Sequence, residues 1–171
     1  LVGSEMCIRD RRYACDNSLS PMETDIAETM VFDPRMGGFG LEKPQLNPRF
    51  EVTRKNRRAL PQSAYLPDLF WPRANISVEY DSDKHHRGDR KASEDAIRRN
   101  GIEHLGTRIV TLTWGQARNY YEFERVALLV ASALGKKFGP GWDAWANRRI
   151  ELHRLLVPVS YTHLRAHETL R

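Results

Sequence analysis

Asp68, Glu79 and Asp81 stand close together in the sequence, with His85 shortly after them, and three acids so spaced suit a divalent cation. The acids lie on two apolar runs of strand length, Tyr65 to Trp71 and Ile76 to Asp81, joined by Pro72-Arg73-Ala74-Asn75. Such a connection closes antiparallel pairs. With the turn centred between Arg73 and Ala74, Asp68 falls opposite Glu79 and Leu66 opposite Asp81. Side chains alternate with period two, so Asp68, Glu79 and Asp81 share one face. Leu69, Trp71, Ile76, Val78 and Tyr80 point to the other. Like charges facing each other across a sheet are destabilising, and a divalent cation would relieve them. Mg²⁺ is suited to the task, because it takes one or two protein carboxylates, keeps several waters and accepts substrate phosphate oxygens. A solvated acidic face on an edge hairpin is the alternative.

His85 can handle a proton, because imidazole titrates near neutral pH, and so can its neighbour. It stands beside His86 in the polar stretch Asp83 to Arg90, which reads as a loop. Paired histidines in such a loop suit solvent exposure equally well.

The sequence Pro67-Asp68, then Glu79-Tyr80-Asp81-Ser82-Asp83-Lys84-His85, then Asp95 with Arg98, resembles the PD-(D/E)XK nuclease superfamily. More narrowly it is similar to a bacterial family of short proteins related to very-short-patch repair endonucleases. The core of that family reads D, then V-E-x-D-G-x-x-H, then D-x-x-R. The resemblance spans about Ser20 to Lys137. It implies an α-β-β-β-α-β restriction-endonuclease-like core and a Mg²⁺ or Mn²⁺ site on Asp68, Glu79 and Asp81. It also implies His85 as acid, base or phosphate holder, and Glu23 of the first helix near the metal. Asp81 stands where the superfamily has its Lys, and Ser82 where the narrower family has Gly.

The elements that must position these groups are legible along the chain. Ser20-Pro21-Met22-Glu23 starts a helix, with Ser as N-cap, Pro at the first position and Glu completing a capping box. Met22, Ile26 and Met30 form one narrow apolar stripe, and Asp33-Pro34 ends the helix. Glu23 therefore has two readings, as a cap and as an acid near the metal. Gly37, Gly38 and Gly40 lack the Gly-Lys-Ser/Thr of a phosphate loop and read as a mobile connector. Phe50 to Thr53 is the expected first strand. The basic run after it, Arg54, Lys55, Arg57 and Arg58, is a candidate phosphate contact or a solvated loop.

Ser93 to about Leu105 reads as a helix stopped by Gly106. Its Arg98 and Arg99, with Lys84 and His86 of the preceding loop, join the candidate nucleic-acid contacts; surface pairs with Asp95 are the other reading. Thr107 to Trp114 is an expected central strand, with Ile109 and Thr111 on one side and Val110 and Leu112 on the other. Phe123, Val126, Ala127, Val130 and Leu134 stripe a helix ending near Lys136-Lys137. After Gly139-Pro140-Gly141, a last helix runs from about Trp142 to Leu156, its two Trp read as packing anchors ahead of base-stacking platforms. The class is thus α/β, a mixed central sheet with C-terminal helices.

The 171 residues carry 27 Lys and Arg against 22 Asp and Glu, and are 40% hydrophobic, the composition of one α/β domain. Residues 1–11 and 158–171 resemble translated sequencing-adapter read-through and are set aside, which leaves 12–157 as the expected domain. Without them 23 basic residues oppose 19 acidic ones, a modest excess that permits a polyanionic partner. Cys7 and Cys15 support neither a disulfide framework nor a Cys-based zinc site. No apolar run is of membrane-spanning length and no secretory signal pattern is present, so the cytoplasm is the expected compartment.

Three functions follow: a metal-dependent endonuclease acting on DNA or RNA, with DNA the first reading, a nuclease-like binding module without catalysis, or an interaction domain with an incidental acidic hairpin. The reading of the termini makes a direct prediction. A chain trimmed to residues 12–157 keeps the thermal midpoint of the full chain, and a loss of several degrees would show that the ends belong to the domain.

Overall fold

A computed structural model describes residues 13–52, 54, 57, 63–82, 96–97, 99–103 and 106–157. Helix α1, Pro21–Val31, starts where the capping chemistry predicts, with Ser20 Oγ accepting the Glu23 N–H at 3.2 Å. Met22, Ile26 and Met30 are buried as expected, but so are Ala27, Thr29 and Val31, so the buried face is broader than one stripe. The reason is tertiary: a C-terminal helix and the glycine turn pack on α1 as well as the sheet does.

That turn is not a mobile connector. Gly37, Gly38 and Phe39 are buried, and a Cβ on Gly38 would lie 2.0 Å from the Phe32 carbonyl oxygen. Gly37 adopts φ 96°, where its lack of a side chain is required. These glycines serve close packing.

The sheet is assembled from β1 (Gln45–Leu46), β4 (Leu69–Trp71), β5 (Ile76–Asp81) and β6 (Arg108–Thr113), in that order. The first two pairings are antiparallel and β5–β6 is parallel. Strands β2 (Phe50–Glu51) and β3 (Ala64–Tyr65) form a separate two-stranded ribbon. Two expectations are corrected here. Phe50–Glu51 is not the first strand of the main sheet, a place taken by Gln45–Leu46. Tyr65 to Trp71 is not one strand either, because the chain leaves the ribbon after Tyr65 and enters the sheet at Leu69. Pro67 sits in the break, where a residue without an amide donor is tolerated.

Pro72–Ala74 forms a 3₁₀ turn and Asn75 adopts φ 46°. Asn75 also ties the hairpin to β6, since its side chain donates to Gly106 O at 2.9 Å and accepts from Thr107 Oγ1 at 3.0 Å. Leu69, Trp71, Ile76, Val78 and Leu112 are fully buried against Ile26, Met30, Phe123, Ala127 and Val130. Helix α1 and the helix Tyr120–Ala133 thus cover one face of the sheet. The other face carries Phe70 and Ser77 and is partly roofed by the ribbon. There Val52, Tyr65 and Ile102 form a second small cluster with Ile109.

Residues 99–103 are helical, and Gly106, at φ 93°, closes the segment with its N–H on Glu103 O. Strand β6 alternates as expected, but among the described residues it is the outer strand and β5 the inner one. Thr113 and Gln116 form a capping box that opens α2, Trp114–Arg118. Asn119 caps α3, Tyr120–Ala133, whose C-cap Leu134 is followed by Gly135 at φ 67°, short of Lys136.

Helix α4, Ala146–Leu156, follows a 3₁₀ turn at Asp143–Trp145. Trp142 and Leu156 are partly buried against the core, but the most buried residues of the helix are polar. Arg149 and His153 are buried, with Arg149 donating to Trp142 O at 2.8 Å and to the Tyr120 hydroxyl at 3.2 Å. Its guanidinium carbon lies 3.7 Å from the Trp142 ring centroid. Trp142 is a packing anchor as expected, set against Phe39 and Phe138. Burial pushes the Tyr120 phenol up to about 12, aided by its hydrogen bond to Glu124.

His153 Nε2 lies 2.7 Å from Ala117 O, a distance at which the ring nitrogen must donate. Burial holds this imidazole below its ordinary value of 6.5, against an upward pull from the Ala117 carbonyl. As pH falls through that ordinary value, the unfolded chain takes a proton that the folded chain refuses, so stability declines. His153→Gln, which can still donate to Ala117 O, is expected to lose less stability than wild type between about pH 7 and about pH 5 in urea unfolding. Equal losses in the two proteins would contradict this account of His153.

Candidate acidic site

The register of the hairpin decides the site. Leu69 pairs with Val78, Phe70 with Ser77 and Trp71 with Ile76, so one further step sets Asp68 opposite Glu79, as the turn position predicts. The acids lie toward the carboxyl end of the parallel pair β5–β6, the side on which open α/β sheets place ligands. Glu79 and Asp81 pair with Thr111 and Thr113 of β6.

Each facing acid is held by a donor of the chain. Asp68 Oδ2 accepts the Tyr80 N–H at 2.7 Å, replacing the backbone acceptor that is lost where β4 ends. Glu79 Oε1 accepts the Tyr65 hydroxyl at 2.5 Å. These bonds lower the cost of facing two carboxylates. Asp81, half-buried at the end of β5, adds to the burial that pushes the Tyr80 phenol up to about 12.

Glu23 is 7% exposed and fully engaged as a helix-start acid. Its Oε2 accepts the Leu19 N–H at 2.9 Å and its Oε1 the Ser20 hydroxyl at 2.8 Å. The capping box is thus shifted by one residue, since the reach-back ends on the amide before the N-cap. Asn47 Nδ2 also donates to Glu23 Oε2 at 2.7 Å, while the Asn47 N–H donates to Asp68 O at 3.0 Å. One asparagine therefore joins the first helix to the strand that bears Asp68.

The basic residues divide in two. Arg54 and Arg57 follow β2, Arg99 lies on the helical segment, and all three are exposed. Their elements meet through Val52, Tyr65 and Ile102 on the face of the sheet that carries Glu79. Lys55, Arg58, Lys84, His85, His86, Asp95 and Arg98 lie outside the described residues.

The donor chemistry of the pair fits a hard cation, because Asp68 and Glu79 offer only oxygens. Among the described residues no three His, Cys, Asp or Glu side chains gather into a metal-sized group, so the fit rests on that pair. A cleft of about 420 Å³ runs beside β1 and is lined by Cys15, Asn17, Lys43 and Gln45. None of the three sheet acids lines it.

Tyr65 and Asn47 are the partners that sequence reasoning missed. Tyr65 read only as a strand residue, since nothing local shows that the ribbon folds back over β5. Asn47 precedes Pro48, a turn signal, but its contacts reach across more than twenty residues in each direction. Its backbone sits at φ 47°, a conformation that Asn tolerates better than Ala.

Asn47→Ala is therefore expected to destabilise the fold by about 2–3 kcal/mol, through the lost bond to a buried carboxylate and the strained backbone. Asn47→Gly keeps the conformation and falls between the two in urea unfolding.

Searches of protein-family models, of curated proteins and of solved structures find no match to this chain.

Proposed function

We propose that this chain is a metal-dependent endonuclease that hydrolyses phosphodiester bonds in nucleic acid, with DNA the first reading of its substrate and RNA the second. What carries the reading is the register of β4 on β5, which one step past the Leu69–Val78 pair brings Asp68 across from Glu79 at the carboxyl end of β5, with exposed Arg54 and Arg57 following β2 and Arg99 on the helical segment. The element order lends support. With the separate ribbon β2–β3 set aside, a helix, the antiparallel strands β1, β4 and β5, the helical residues 99–103 and the parallel strand β6 follow the α-β-β-β-α-β order that the resemblance implies.

In this reading Asp68 and Glu79 hold Mg²⁺ or Mn²⁺, and Asp81 orients a bound water or a ligand. The ion, when bound, polarises phosphoryl oxygens and lowers the pKa of a coordinated water. The chain supplies the rest. Tyr65 and the Tyr80 amide hold the two acids, exposed arginines engage the phosphate backbone, and His85 moves a proton or steadies the scissile phosphate.

Asp81, in the position of the superfamily's Lys, favours a second reading: a nuclease-like module that binds nucleic acid without cutting it. The two readings separate experimentally. In the first, Asp68→Ala abolishes cleavage and His85→Ala slows it by ~10²-fold with metal affinity little changed. Asp81→Lys, which restores the superfamily pattern, retains cleavage if Asp81 is not a required ligand. If wild type cuts no duplex, single strand or RNA with Mg²⁺ or Mn²⁺ yet binds them in a salt-dependent way, the binding module is correct.

A further inference from the structure

We propose that Tyr65 is a positioning residue for Glu79, setting the orientation of that carboxylate from outside its own sheet; the inference rests on the cation-site reading above. Tyr65 is 6% exposed and belongs to the ribbon rather than to the sheet that carries the acids. Its ring stacks on Phe50, with centroids 6.3 Å apart and planes at 23°. It also packs with Val52 and Ile102.

A ring so enclosed has little torsional freedom, so the place of its oxygen is dictated by the ribbon. That oxygen lies 2.5 Å from Glu79 Oε1 and 3.4 Å from Ser77 Oγ, and Ser77 is itself fully buried. A buried phenol needs a partner, and a charged acceptor makes the bond short and strong. Glu79, by contrast, is half-buried on a long side chain with several rotamers. The rigid group therefore orients the flexible one.

The ribbon has a second property that gives this contact a consequence. Arg54 and Arg57 follow β2 in the chain and are exposed, so a phosphate backbone engaged there would bear on the element that holds the Glu79 carboxylate. Groups that hydrogen-bond a metal-ligating carboxylate orient it, and their removal typically weakens metal affinity or activity 10–100-fold.

The test is Mn²⁺ titration of the full chain, followed by electron paramagnetic resonance, in wild type, Tyr65→Phe, Glu79→Gln and the double variant. Phe keeps the stacked ring and removes only the hydroxyl. Tyr65→Phe is expected to weaken Mn²⁺ binding about tenfold while its thermal midpoint stays within a few degrees of wild type. The double variant is expected to bind no more weakly than Glu79→Gln alone, because the hydroxyl acts through that carboxylate. Undiminished binding by Tyr65→Phe, or losses that simply add in the double variant, overturns the positioning role. Absence of Mn²⁺ binding by wild type instead overturns the cation site beneath it. If Tyr65→Phe does not fold, wild type carrying ζ-¹³C tyrosine is titrated with Mg²⁺. The Tyr65 signal is then expected to move in step with binding, and a signal that stays fixed while Mg²⁺ binds overturns the proposal.

Discussion

The pairing of β4 with β5 is the constraint on which the rest of the structure depends. Its three registered pairs bury Leu69, Trp71, Ile76 and Val78 on one side and Phe70 and Ser77 on the other. A slip of one residue would turn every apolar side chain of the hairpin to the wrong face. The same register fixes the acids. Asp68 faces Glu79 only because Leu69 faces Val78, so core packing and site geometry are two results of one alignment.

Packing on both faces explains how a short hairpin can hold charges in a fixed arrangement. Helices α1 and α3 close over one face, and the ribbon with the segment at 99–103 closes over part of the other. Two donors then reach the acids from different sources: Tyr80 through its backbone and Tyr65 through its side chain. The two bonds fix the direction of each carboxylate.

The far end of the molecule solves a different polar problem. Arg149 is 2% exposed, and it is stabilised by the Tyr120 hydroxyl, the Trp142 carbonyl and ring, and a 3.6 Å approach to Glu124. No described buried side-chain nitrogen or oxygen lacks a partner. Burial of an arginine is tolerated here because its donors are met by groups that α3 and the 3₁₀ turn hold in place. The glycine turn plays its part by letting α4 approach α1 closely, since a Cβ on Gly37 would meet the Arg148 carbonyl.

Local chemistry made much of this readable in the residues alone. The cap at Ser20, the turn at Pro72 to Asn75, the facing of Asp68 and Glu79, and the stripes of α1 and α3 depend on neighbours within a turn or a hairpin. Period and turn chemistry determine such features. Tertiary structure alone decided the features that join distant segments. Two residues at Gln45–Leu46 carry no strand signal of their own, yet they complete the sheet because β4 offers them an edge. Phe50–Glu51 was diverted to the ribbon by Ala64–Tyr65. Arg149 and His153 look like a solvated helix face until Tyr120, Glu124 and the Ala117 carbonyl supply partners. Tyr65 acquires its role only when the ribbon lies over β5. In each case the deciding hydrogen bond or contact links residues whose proximity no local period encodes.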